Sequence, residues 1–264
     1  MSDHLRFWSV TTLIKLGLGT SDALVNWAVR TTAEYAIDNH DVVAPLADRD
    51  RNAAIKLLAD ARWQTSGKAA ARGTDLHKAA EQLALGETPE VEPHIVPYLD
   101  QYQRFLNDHH PVFLMSEAPV YHPELLYAGT CDGVMRLGDS TVVFDVKTTD
   151  KAPDSGKTRP PYAEVALQLA AYRRATEVGV LSEQRYDGGR RYYLYNPDAH
   201  HEPMPNTDGA VCIVVSPYDY MVVPVRTDDL VWRSFRAVLA TARWQVELSR
   251  DVFGPPITPN VETT

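Results

Sequence analysis

Between Pro111 and Thr149 three strand-like runs follow one another: PVFLMSEAPVYH, LYAGTCDGVMRLG and STVVFDVKTT, with turn signals between them, LGDS being the clearest. Runs joined in this way predict an antiparallel meander. A helix is predicted across PPYAEVALQLAAYRRATEVG, further strands at RYYLYNP, AVCIVVSP and YMVVPVR, and a long closing helix from about Asp228 to Ser249. Ahead of Pro111 the chain reads as helical. TSDALVNWAVRTTAEYAI opens on the cap-type residues Thr20, Ser21 and Asp22 and spaces Leu24, Trp27, Ala28, Thr31 and Tyr35 at helical intervals. DRNAAIKLLADARW and GTDLHKAAEQLALG read as two further helices, the second starting at Gly73 and Thr74 and ending at Gly86. VEPHIVPYLDQYQRFLNDHH reads as a fourth, with Pro93 and Pro97 in or near its first turn.

This order of elements predicts an α/β fold, a helical N-terminal region packed on a mixed central sheet, with the helix around Gln168 across one face. One domain is expected over residues 1–264: a helical region to 110, a core from 111 to 250 and a tail from 251. DKAPDSGKTRPP and NPDAHHEPMPNTDG, rich in Pro, Gly and polar residues, read as loops.

Within VVFDVKTTD, Asp145 and Lys147 stand two apart in a strand and so project from the same face. A structural ion pair is the plain alternative for an isolated D-x-K. Asp132 stands in the preceding strand, and the intervening turn allows its carboxylate and that of Asp145 to reach one cation. Two carboxylates at close range repel unless something positive sits between them. Hard oxygen ligands suit Mg²⁺ or Mn²⁺, and two aspartates with such an ion are the minimum equipment for phosphodiester cleavage. Lys147 would orient the attacking water or stabilise charge growing on phosphorus.

Composition narrows the alternatives. The two cysteines, Cys131 and Cys212, cannot build a four-cysteine zinc or iron-sulfur site within one chain. A net charge of -9 argues against a surface uniformly committed to polyanions, yet residues 147 to 191 hold nine Lys or Arg against six Asp or Glu. No apolar run approaches the roughly eighteen residues of a membrane span, and MSDHLRFWSV lacks a signal-peptide pattern, so a cytoplasmic location without membrane contact is expected.

G-T-x-D-G at Gly129 to Gly133, D-V-K at Asp145 to Lys147 and Q-L-A-A-Y at Gln168 to Tyr172 together resemble the PD-(D/E)XK nuclease superfamily, in its RecB-type exonuclease branch. R-G-T-D-L-H at Arg72 to His77, followed by Glu81, is similar to the helix that supplies a histidine ligand there, and the N-terminal helices look like those of actinobacterial and phage members. The resemblance covers residues 8 to 250 and implies a restriction-endonuclease-like mixed sheet. It implies Mg²⁺ or Mn²⁺ held by His77, Asp132, Asp145 and Val146. It also implies catalytic roles for Asp132, Asp145, Lys147, Gln168 and Tyr172, with Glu117 at the border of the pocket and Glu81 either touching a metal-bound water or pairing with Lys78. No proline precedes Asp132, and neither iron-sulfur cysteines nor a Walker A sequence are present, so any helicase motor would be a separate chain.

The expected function is a metal-dependent DNA exonuclease in recombination or repair, acting on linear DNA ends, single or double stranded, beside a recombination or annealing protein. The alternatives are an inactive nuclease-like module that holds DNA ends or a partner, and a structure-specific endonuclease. Lys151, Lys157, Arg159 and Arg173 are the expected phosphate contacts.

Overall fold

Leu5–Ser9 forms a strand, β1, inside a region that the sequence reads as helical. The computed structural model describes residues 5–150, 162–180, 183–249 and 251–255. Five residues are too few for a periodicity to show, and pairing with distant segments decides their state. Phe7, Trp8 and Ser9 are buried, and Ser9 also caps helix α1, Val10–Leu18, accepting from Thr12 N at 3.3 Å.

Three helices follow: α2, Asp22–Asp38, capped by Ser21; α3, His40–Arg49; and α4, Arg51–Ala84, capped by Asp50. The two helices expected across residues 50 to 86 are therefore one, roughly 50 Å long at about 1.5 Å per residue. Gly67 and Gly73 lie inside it. A helix-interior glycine costs about 1 kcal/mol relative to alanine, which the helix on either side can absorb. Thr74 is not a cap: its hydroxyl bonds back to Ala70 O at 3.1 Å. His77 accordingly sits in the last third of α4, not in a first turn.

Helix α5, Val96–His109, has Pro97 in its first turn and buries Tyr98, Leu99, Tyr102 and Phe105. Strands β2, Val112–His122, β3, Tyr127–Leu137, and β4, Ser140–Thr148, form the antiparallel meander, turning at Gly138. Helix α6, Glu164–Arg173, is shorter than the sequence suggests, because the end of that run is strand β5, Glu177–Gly179. Strands β6, Gln184–Asp187, β7, Arg190–Tyr195, β8, His201–Pro203, β9, Gly209–Val215, and β10, Tyr220–Val225, follow. β8 lies in a stretch read as loop. Its three residues carry no readable alternation, and pairing with β5 defines it. Helix α7, Asp229–Arg243, ends in a π-helical turn, Trp244–Leu248.

Among the described residues the strands make one mixed sheet in the order β10-β9-β4-β3-β1-β7-β6, with β2, β5 and β8 attached beside β3. β4–β9 and β1–β3 are parallel, so this is the α/β class with a mixed sheet. One face carries α1, α6 and α7, whose Leu13, Leu169, Phe235 and Leu239 meet Val143 and Cys212. The other carries α5 and the last third of α4, whose Leu76, Tyr102 and Phe105 meet Phe144, Val146 and Ile213. Each such fully buried Leu or Phe contributes about 1.5–3 kcal/mol. α2 and α3 pack instead on α4, and α3 buries no residue, so only part of the helical region covers the sheet. No helix among the described residues is long and apolar enough to cross a membrane.

Candidate metal centre at a split in the sheet

β3 shares one edge between two neighbours. β4 pairs with it from Leu137↔Ser140 up to Gly133↔Phe144, whereas β1 pairs at Trp8↔Tyr127 and Ser9↔Ala128. Gly129 to Asp132 lie between them at the split, where side chains take over the backbone bonding. Asp132 Oδ2 accepts from Val146 N at 2.7 Å, and His77 Nε2 lies 2.9 Å from Val146 O. Crevices where neighbouring strands diverge are where open α/β sheets bind ligands.

The same imidazole presents Nδ1 to Glu117 Oε1 at 3.1 Å and to Asp132 Oδ2 at 3.4 Å. Glu117 arrives from β2 with a φ of 44°, a left-handed backbone that costs a non-glycine residue on the order of 1–3 kcal/mol. The β2–β3 pairing keeps one register from Ser116↔Gly133 to Ala118↔Cys131, which sets Glu117 level with Asp132. Gly133 makes this crossing passable. Its φ is 155°, and a Cβ there would stand 2.3 Å from Met115 O and 2.6 Å from the Phe144 ring. Gly133→Ala is therefore expected to lower stability by about 2–3 kcal/mol, read as a drop in urea midpoint at unchanged slope. A midpoint equal to the parent would show that β2 and β3 yield here without cost.

Charge at the cluster is strongly coupled. Burial alone would lower the His77 pKa, but the Asp132 charge and the Glu117 bond outweigh it and lift it to about 9. Burial raises Asp132 to about 7, helped by Asp145 and opposed by His77, Lys147 and the Val146 amide. Asp145, 1% exposed, holds Lys147 Nζ at 2.6 Å from both of its oxygens, with the Cys212 thiol 3.8 Å from Oδ2. Burial works against the ammonium, yet Asp145 and Asp132 raise its pKa above the ordinary lysine value. Glu81, one helical turn after His77, is pushed up by burial and by Glu117 and Glu87.

Excess negative charge here calls for a cation, and the protonated imidazole supplies one. Nitrogen or carboxylate oxygen atoms of His77, Glu117 and Asp132 lie within 4.8 Å of one another, an N,O donor set that fits a divalent ion. Of the ligands expected from sequence, His77, Asp132 and the Val146 carbonyl converge. Asp145 stands beside them, committed to Lys147, and Glu117 takes the nearer place.

Gln168 and Tyr172 lie on the α6 face. The Gln168 amide donates to the Tyr172 hydroxyl at 3.3 Å, and the Tyr172 ring packs so closely under Gly129 that a Cβ there would stand 2.7 Å from it. Gly129 is thus the glycine that lets α6 lie against the sheet at the split. Arg173 directs its guanidinium to Thr207 O at 2.6 Å, Thr207 Oγ1 at 3.0 Å and Thr227 Oγ1 at 3.2 Å, tying the segments before β9 and α7 together. Lys151, Lys157 and Arg159 lie outside the described residues. Sequence reasoning passed over Tyr98 and Tyr102 of α5. Tyr102 is buried near enough to Asp132 and Glu117 that they add to the rise burial gives its pKa. Its place among apolar residues at helical spacing marks it as core, and nothing local distinguishes it further.

No protein-family model matches the chain, and no curated protein shows significant sequence similarity to it.

Proposed function

We propose that this chain is a divalent-metal-dependent deoxyribonuclease of the RecB-like PD-(D/E)XK type, acting as an exonuclease on DNA ends in recombination or repair. The observation that carries the reading is one junction in the sheet at which His77, Glu117 and Asp132 converge beside the Asp145–Lys147 pair. His77, Asp132 and the Val146 carbonyl would hold Mg²⁺ or Mn²⁺, with Asp145 and Glu117 completing the negative surround. When bound, the ion supplies polarisation of a phosphoryl oxygen and a lowered pKa for water.

The chain's own contribution lies in charge placement. Lys147 keeps its proton at neutral pH, since its pKa is raised, so it acts as a fixed positive charge for developing negative charge and not as a base. Asp145 holds that ammonium in place from both oxygens. Asp132 spans the split to Val146, keeping β3 and β4 at a set separation.

The test uses end-labelled linear DNA and closed circular DNA, each with Mg²⁺, Mn²⁺ or EDTA. Stepwise loss of label from linear DNA in either metal, and no loss in EDTA, is the expected result. Cutting of the circle would move the reading to an endonuclease, and tight binding to ends without turnover would move it to a DNA-holding module.

A further inference from the structure

Helix α4 runs antiparallel to the departing end of β4. His77 meets Val146, Gly73 faces Thr148 with room for a Cβ at 4.0 Å from its Oγ1, and Arg72 reaches Asp150. The Arg72 side chain is only 14% exposed, and its guanidinium lies 5.2 Å from the centre of the Tyr98 ring. Its Nη1 stands 2.6 Å from Asp150 Oδ1, and the Tyr98 hydroxyl donates to that same oxygen at 2.5 Å. Asp150 itself is 67% exposed.

One donor is left over. Arg72 Nε is buried and has no hydrogen-bond partner among the described residues. Leaving a buried donor of a charged group unfilled is costly, and such groups are rare enough to call for an explanation. A guanidinium is a fork suited to two oxygens of one anion, and this one meets Asp150 through Nη1 with its Nε unfilled. Arg72 is five residues before His77, roughly 7.5 Å along the helix axis.

We propose that Arg72 and Tyr98 bind a backbone phosphate of the DNA strand beside the metal centre, and that the Asp150 carboxylate occupies their place until that phosphate displaces it. The proposal rests on the nuclease reading for its substrate and on the Arg72 geometry for its site. A phosphodiester offers two unesterified oxygens, enough to fill Nε and Nη1 together while the Tyr98 hydroxyl donates to one of them. Arg72 is already enclosed and oriented, so the site needs little reorganisation on binding.

The test measures binding of a fluorescein-labelled oligodeoxynucleotide in EDTA and in Ca²⁺ over a range of salt, and KM for linear DNA in Mg²⁺. Asp150→Asn is expected to tighten binding and lower KM by roughly three- to fivefold, the scale of a part-exposed ion pair. Arg72→Ala and Arg72→Lys, the second keeping the charge but not the fork, are expected to weaken binding, Arg72→Ala by roughly tenfold. The slope of log K against log salt should fall by about 0.7 to 0.9 in Arg72→Ala. Asp150→Asn should lose its effect in the Arg72→Ala background, where no cation is left for Asp150 to occupy. If Arg72→Ala does not fold, Arg72→Lys and Asp150→Asn decide the matter. Weaker binding or unchanged affinity in Asp150→Asn would overturn the proposal and make the contact a structural ion pair. Cleavage by the parent protein with KM and salt slope unmoved by these variants would remove the phosphate site and leave the nuclease reading standing. Arg72-dependent oligonucleotide binding without cleavage in any metal would do the reverse.

Discussion

Asp145→Asn is expected to abolish metal-dependent DNA cleavage, and Lys147→Ala to lower its rate by a factor on the order of a hundred or more, the usual cost of removing a transition-state electrostatic partner. Both variants should fold, Lys147→Ala with a lower melting temperature because it leaves the buried Asp145 carboxylate without its partner. Asparagine keeps the shape of the buried Asp145 side chain, and Lys147, with its side chain 37% exposed, can turn to solvent when its partner loses charge. Initial rates on linear DNA at saturating Mg²⁺, with thermal melts of each variant alongside, make the measurement. Near-parental turnover by both would show that the D-x-K strand is a structural ion pair and that the active site has been misassigned.

Metal-free protein is expected to lose stability as pH rises from about 6.5 to about 9, and Mn²⁺ to restore it. His77 has its folded pKa lifted from 6.5 to about 9, so its stabilising charge is present in full below 6.5 and is lost as pH passes through about 9. At about 1.36 kcal/mol per pH unit the loss is on the order of 3 kcal/mol. Asp132, raised from 3.8 to about 7, acts in the same direction at lower pH: the fold favours its protonated form, and stability falls as pH rises through that range. The two effects express one demand for positive charge and are not summed. A bound metal ion would meet the demand in place of the His77 proton, so Mn²⁺ affinity should rise about tenfold per pH unit as pH approaches 9. An unperturbed histidine would place that window at 6.5; the neighbouring carboxylates move it upward. His77→Ala should flatten the pH dependence, weaken Mn²⁺ binding by calorimetry and reduce the preference for Mn²⁺ over Mg²⁺, because imidazole is the softer ligand. Chelator-treated protein with equal urea midpoints at pH 6.5 and 9, together with Mn²⁺ binding that releases no proton, would rule this out.

Much of the candidate site was legible locally. The same-face projection of Asp145 and Lys147 follows from the two-residue strand period, and their pairing in the structure is its direct consequence. Asp132 opposite the D-x-K strand followed from the short LGDS turn, since a tight turn fixes register. His77 and Glu117 could be suspected but not joined by such reasoning, because forty residues separate them and no local period relates them. Lys147 through Arg191 looked basic along the sequence, yet Arg173 within it is turned to Thr207 and Thr227.

What the sequence determined by itself is the set of elements whose signal is local: the meander, the helix and main strands after it, the capped start of α2, and the spacing of Asp145 and Lys147. Those signals work because backbone period and capping chemistry act over a few residues. Only the tertiary structure decided that Leu5–Ser9 is a strand, that α4 passes unbroken through Gly73, and that β1 and β4 divide one edge of β3. Each of these is settled by burial and hydrogen bonding between segments far apart in sequence, which overrides weak local preference. The site belongs to this second class. The split that brings His77, Glu117 and Asp132 together exists because β1, from the start of the described chain, and β4, from its middle, divide the same edge of β3, and the groups left between them find partners in side chains.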